Sequence, residues 1–223
     1  MIREALVLSE FVSIGLALVL VYFLLKICRF TRSISLLGLP IGFSHLALSY
    51  TFLALYLLYE ENAIFSDSML WLRLITQSFG CAFIAFSYYF TAKTDKPVRR
   101  LLMVISVASV LSILTFFVAL LVTPPFLVLP SVQVAGNYSR VLNLVFLGYV
   151  VYYLVARLRS RDREFSDLVS APIAFSVLWL AQYSLFIWGV DGSETAFTLA
   201  HVARLASLIL FIRVYYSSGR VRR

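Results

Sequence analysis

Seven apolar stretches, each close to the length needed to cross a lipid bilayer, constrain this chain more than any other feature. They cover approximately residues 6–27, 34–58, 69–91, 100–122, 139–156, 168–190 and 196–216. A helix needs about 20 apolar residues to cross a hydrocarbon core about 30 Å thick. In lipid every backbone N–H and C=O must be paired within the protein, so such stretches are either helices or strands of a closed barrel. These runs are continuous and do not alternate with a period of two, which selects helices. Composition agrees: 61% of the 223 residues are hydrophobic and 13% are charged, against about half and a quarter in soluble domains. The expectation is a single all-α, polytopic membrane domain over residues 1–223. Basic Lys26, Arg29 and Arg32 follow the first apolar run where a cleaved leader would carry small residues, so that run reads as a retained span.

The distribution of charge sets the orientation. Lys26, Arg29 and Arg32 follow span 1; Lys93, Lys96, Arg99 and Arg100 follow span 3; Arg157, Arg159, Arg161 and Arg163 follow span 5; Arg213, Arg220, Arg222 and Arg223 lie at or in the tail. The opposite side has only Arg3 and Arg140, with the acids Glu4, Glu10, Glu60, Glu61, Asp67, Asp191 and Glu194. Lysine and arginine remain cytoplasmic during insertion, so the sequence predicts seven transmembrane helices, N-terminus out and C-terminus in, in a multi-pass protein of the cell membrane. The net charge of +8 is thereby assigned to attraction for anionic headgroups of the bilayer and not to nucleic acid.

Three matches recur at offsets of 130, 132 and 131 residues. Val21-Tyr22-Phe23-Leu24-Leu25 corresponds to Val151-Tyr152-Tyr153-Leu154-Val155, Leu39 to Ser44 corresponds to Ala171 to Ser176, and Arg73-Leu74 corresponds to Arg204-Leu205. Their collinearity predicts a 3+1+3 parallel repeat: a unit over 6–91, a linking helix over 100–122, a second unit over 139–216 and a basic tail over 217–223. Pro40 and Pro172 take matching places near the starts of spans 2 and 6, either as ordinary helix starts or as a pair of hinges.

This 3+1+3 order resembles the PQ-loop and SWEET-type transporters in topology, although Ile41 and Ile173 stand where their Pro-Gln glutamine would be. The length, the topology and arginine-bracketed aromatic segments such as Trp71-Leu72-Arg73-Leu74 also resemble the seven-helix sensory modules at the N-termini of prokaryotic histidine kinases. The first resemblance implies rocking of two units around a solute. The second implies ligand sensing exercised through a separate output protein. Microbial rhodopsins are excluded, because the seventh span, Ala196 to Tyr216, has no lysine to hold retinal.

Ionisable residues inside spans are costly and therefore candidates for function. Glu10, Arg73 and Arg204 lie in the outer part of the membrane, with Gln77 one turn after Arg73 and His201 one turn before Arg204. Tyr50, Gln182 and Tyr183 are further candidates for lining a cavity. Two readings stand: Arg73 and Arg204 grip an anionic group between the two units, or they snorkel to headgroups and pair with Glu10, Glu60 or Asp191. His45 and His201 raise haem ligation, but their depths differ and the expectation is interhelical hydrogen bonding without haem. Two imidazoles and the separated Cys28 and Cys81 do not suit zinc or a disulfide.

Other features read as anchors. Tyr22, Tyr88, Tyr89, Tyr152, Tyr153, Tyr215 and Tyr216 form an expected interfacial belt, and Ser44 and Ser176 tie helices. Asn137-Tyr138-Ser139 is a glycosylation sequon on the outer side, and the proline-bearing segment 123–137 suggests a lid or contact surface. No set of nucleophile, base and acid is evident, so the chain is not expected to be an enzyme. Three functions follow: a sensor or receptor-like module acting through a cytoplasmic partner, a small-solute transporter, or an accessory subunit among other membrane subunits.

Overall fold

A computed structural model describes residues 2–31, 34–59, 63–90, 105–106, 109, 132–159 and 165–220. Six helices account for nearly all of them: α1 (Ile2–Thr31), α2 (Gly38–Leu58), α3 (Ala63–Phe90), α4 (Val132–Arg159), α5 (Phe165–Asp191) and α6 (Glu194–Arg220), with a 3₁₀ turn over Ile34–Leu37 ahead of α2. All six are long and apolar enough to cross a membrane, and the chain is a membrane-embedded helical protein. They correspond to expected spans 1, 2, 3, 5, 6 and 7. Span 4 (100–122) lies outside the described residues except for Ile105, Ser106 and Ser109.

The helices overrun the apolar stretches. Helix α3 begins at Ala63, not 69, and α4 at Val132, not 139. Apolarity marks only the part inside hydrocarbon, whereas backbone hydrogen bonding carries a helix through the interface. The Asn137 sequon therefore lies within a helix: Asn137 Nδ2 donates to the Gly189 carbonyl at 3.4 Å, and the Ser139 hydroxyl meets that of Ser78 at 2.8 Å. Pro40 sits in the first turn of α2, but Pro172 is inside α5, so only the first is an ordinary helix start.

The six helices form a closed ring in chain order, each packed on the next and α6 packed on α1. Neighbours joined by short turns are antiparallel. Between α5 and α6, Gly192 takes φ 72°, its amide closes on the Trp188 carbonyl at 2.9 Å, and Ser193 caps α6 through the Ala196 amide. Two junctions are parallel. In α1–α6, Glu10 meets Arg204 and Phe23 meets Tyr216; in α3–α4, Ser78 meets Ser139 and Tyr88 meets Tyr153. One end of the ring exposes Glu4, Asp67, Asp191 and Glu194 and the other exposes Lys26, Arg29, Arg157 and Arg213. They are termed the acidic and basic ends.

The closest approach is between α2 and α3. A Cβ on Gly42 would lie 2.7 Å from Ile84 Cγ1 and 2.8 Å from the Gly80 carbonyl oxygen. Lipid offers no hydrophobic drive for helix association, so small residues that admit backbone contact decide where helices dock. At the acidic end Arg3 Nε donates to the Leu57 carbonyl at 2.7 Å and ties α1 to α2. Outside the ring, Ile105 packs against Phe83 on α3 and Ser109 meets His45 on α2.

Helices α1 and α4 turn a narrow stripe inward. On α1 it is Glu10, Ser13, Ala17, Leu20 and Leu24; on α4 it is Gly136, Arg140, Asn143, Leu147 and Val150. The alternating three- and four-residue spacing keeps one face on the ring's interior while Leu18, Val19, Val141, Leu142 and Val145 face outward. Both stripes are polar toward the acidic end and apolar toward the basic end. The same change occurs on α6, from His201, Arg204 and Ser207 to Leu208 and Phe211, and on α3, from Arg73, Thr76 and Gln77 to Cys81 and Ile84.

Candidate functional site

The interior has two storeys. Toward the basic end it is filled by aromatic rings. Phe211 meets Phe43 at 5.1 Å and Phe175 at 4.5 Å between centroids, and Tyr88 stands edge-on to Phe175 at 5.4 Å. Phe43, Phe175 and Phe211 are fully buried. Tyr88 and Tyr215 pack against this core, not in an interfacial belt; Tyr22, Tyr89, Tyr152 and Tyr216 are the exposed members. Their helices end at the interface, but which face each tyrosine takes depends on the ring, and the span-end position alone does not reveal it.

Toward the acidic end the interior is polar. Glu10 and Arg140 lie eight residues, and Arg73 and Arg204 ten residues, after their helix starts, so all four are about 12 to 15 Å along their helices. Glu10 is fully buried and Arg204 is 5% exposed. Arg204 Nη2 donates to Glu10 Oε1 at 2.5 Å, and the guanidinium lies 4.6 Å above the Tyr50 ring. His201 Nδ1 must donate to the Phe197 carbonyl, 2.8 Å away, since a carbonyl only accepts. Its Nε2 lies 3.1 Å from Glu10 Oε1.

Tyr50, Arg73, Gln77, Gln182, His201 and Arg204, with Ser49, line a void of about 10 Å³ beside this pair, close to the lower limit for one water molecule. Tyr50 Oη, Gln182 Oε1 and Ser49 Oγ have no hydrogen-bond partner among the described residues. The structure thus brings seven of the eight site candidates into one layer: Glu10 from α1, Tyr50 from α2, Arg73 and Gln77 from α3, Gln182 from α5, His201 and Arg204 from α6. Tyr183 is not among them; it is 41% exposed and stacks on Trp179 at 5.7 Å on the outer face. Ser44 bonds to the Pro40 carbonyl of its own helix at 2.8 Å and ties nothing across.

Arg73 also lines a second cavity nearer the acidic end, of about 300 Å³, with Leu70, Leu74, Gly136, Arg140, Trp188 and Gly189. Arg140, 8% exposed, donates to Asn137 Oδ1 at 2.9 Å and lies 5.1 Å over the Trp188 ring. The glycine at 189 leaves room for these side-chain ends, since a Cβ there would displace Arg140 Nη1 and Asn137 Oδ1. Arg140 and Asn143 were missed as site residues because the expected span began at 139. The signal was present in the three-residue spacing Asn137, Arg140, Asn143, which is one helix face.

The histidines are engaged separately. His45 Nδ1 meets the Ile41 carbonyl at 2.9 Å and its Nε2 meets Ser109 Oγ at 2.6 Å, so the two imidazoles do not face each other. No group of three metal-binding side chains occurs among the described residues, and Cys28 and Cys81 are unpaired. A groove of about 790 Å³ between α4 and α5, walled by Gly148, Tyr152, Val155 and Trp179 among others, opens on the outer, lipid-facing side and carries no charged side chain. No protein family, curated protein or solved structure matches the chain.

Proposed function

We propose that this chain is a seven-span protein of the cell membrane, acidic end out and basic end in, that recognises a small ligand from outside and acts through a cytoplasmic partner. The observation that carries the reading is the two-storey interior: a polar layer toward the acidic end, fed by all six described helices, and an aromatic core of Phe43, Phe175 and Phe211 between it and the basic end. A closed aromatic floor under a polar chamber suits recognition from one side.

The exposed Lys26, Arg29, Arg157 and Arg213 at one end support the orientation. The parallel α3–α4 junction supports a fourth span, because the chain leaves α3 at the basic end and must start α4 at the acidic end. Ring order supports the 3+1+3 repeat, with α1–α3 and α4–α6 as halves and both between-half junctions parallel. The likeness to kinase-associated sensory modules is proposed on the same grounds, and the role is binding, not catalysis.

One observation favours the transporter reading. Phe43 and Phe175 hold matching places in the two halves and close on the same ring, Phe211, as a gate between rocking units would. The two are separated by cross-linking from Lys26 in native membranes and by current measurements on proteoliposomes under anion gradients. The sensor reading expects a cross-linked protein with a cytoplasmic output domain and no current. Protein-dependent current without such a partner overturns it.

A further inference from the structure

The two parallel junctions of the ring are built alike but charged differently. In α1–α6, the carboxylate of Glu10 faces the guanidinium of Arg204. In α3–α4, Arg73 corresponds to Arg204, ten residues from its helix start, and Arg140 corresponds to Glu10, eight residues from its own. Where the first junction has an acid and a base, the second has two bases. The cavity of about 300 Å³ opens at the second.

Charge makes this arrangement costly as it stands. Arg73 is 6% exposed and forms no ion pair with a carboxylate among the described residues, and it lines the cavity with Arg140 and the smaller void with Arg204. Glu10 faces Arg204 and His201 through Oε1, and neither of its oxygens bonds to Arg73. A buried guanidinium without a counter-ion is strongly unfavourable, and no acid among the described residues lines the cavity. We infer that the α3–α4 cavity binds a small organic carboxylate, which supplies to Arg73 and Arg140 the acid that Glu10 supplies to Arg204. Two planar forks suit a carboxylate. The walls of Leu70, Leu74 and Trp188 suit a short apolar body, and the volume is at the small end of ligand sites. The inference deepens the proposed recognition role and rests on it for the side of access.

The test uses the full chain in an uncharged maltoside micelle without added phospholipid. Apparent Tm is followed against sodium benzoate, disodium succinate and sodium phosphate, with sodium chloride at matched ionic strength. Benzoate or succinate should raise Tm by about 5 to 10 °C at a hundredfold excess over its Kd. Arg73→Gln should abolish the rise. Arg140→Glu installs the missing acid and should raise the ligand-free Tm while abolishing the carboxylate effect. Arg73→Lys, which keeps charge and fold, should weaken binding at least about tenfold. The inference is overturned if neither carboxylate stabilises beyond chloride, if only phosphate does (which would assign the arginines to lipid headgroups), or if Arg140→Glu still responds. None of these outcomes needs a partner protein, so the site can fail while a cross-linked partner upholds the sensor reading, and the reverse.

Discussion

Removing the Glu10 carboxylate tests the electrostatics of the polar layer most directly. Glu10 is fully buried on α1, accepts from Arg204 at 2.5 Å and lies 3.1 Å from His201. Glu10→Gln keeps the shape but leaves a buried guanidinium with no anion. Breaking a buried pair from one side costs about 3 to 5 kcal/mol, which for a chain of this size lowers Tm by about 6 to 20 °C. An ordinary hydrogen bond between membrane helices is worth about 0.6 kcal/mol, or about 2 °C on the same scale, so the two accounts differ well beyond measurement error. Arg204→Met should cost less than Glu10→Gln, because Glu10 would keep His201. The double variant Glu10→Leu, Arg204→Met should recover most of the loss, since an apolar pair of similar volume is often neutral in place of a buried ion pair.

The assay is thermal unfolding in maltoside at one fixed scan rate, because unfolding of such proteins is governed by rate as well as equilibrium. Repeating it at low and high salt adds a control: a buried pair is screened little, a surface pair strongly. A Glu10→Gln Tm within about 2 °C of the native one, or single losses that simply add in the double variant, would refute the view that this pair closes the ring.

Two further outcomes are expected. Gly42→Val should lower apparent Tm or yield by overpacking the α2–α3 crossing, where even a Cβ would lie 2.8 Å from the Gly80 carbonyl oxygen, at a cost of about 1 to 3 kcal/mol; a Gly42→Val protein as stable as the native one would show that the helices part there freely. For orientation, Glu194→Cys should react with an impermeant maleimide in intact cells and Arg213→Cys only after permeabilisation, both positions being exposed and the native Cys28 and Cys81 buried; the reverse pattern would invert the proposed topology.

The polar layer was legible in the sequence because a membrane span has few places to put an ionisable group. Glu10, Arg73 and Arg204 could not face the lipid core at low cost, which left the interior or the headgroups, and the ring decides for the interior. What was not legible was which arginine Glu10 would take. That depends on α6 closing the ring against α1, which puts Arg204 and His201 within reach and leaves Arg73 across the interior. Arg140 escaped for a different reason: hydropathy marks where hydrocarbon begins, not where a helix begins, and α4 starts at Val132 in polar sequence. The inward turn of Tyr88 and Tyr215 was hidden in the same way, since depth was readable and azimuth was not.

The division of the interior explains why stability and recognition need not compete in this fold. The aromatic storey around Phe43, Phe175 and Phe211 holds the halves together by packing, and the glycine crossing at Gly42 and Gly80 holds α2 to α3 within the first half, both independent of charge. The polar storey then has one junction with its own ion pair, through Glu10, and one with no acid among the described residues, between Arg73 and Arg140. An anion arriving at the second junction would tie α3 to α4 as Glu10 ties α1 to α6, turning an asymmetric ring into an evenly braced one. Because α4 and α6 continue to the exposed cations at the basic end, Arg157 and Arg213, a change in bracing at the acidic end has a rigid path to the surface where a partner would dock. A sensor needs only that α3–α4 bracing differ between the empty and the occupied state; a transporter also needs the rings on Phe211 to part. That makes Phe211→Ala the separating variant: it should leave carboxylate binding at Arg73 and Arg140 intact in a sensor, and open a leak in a transporter.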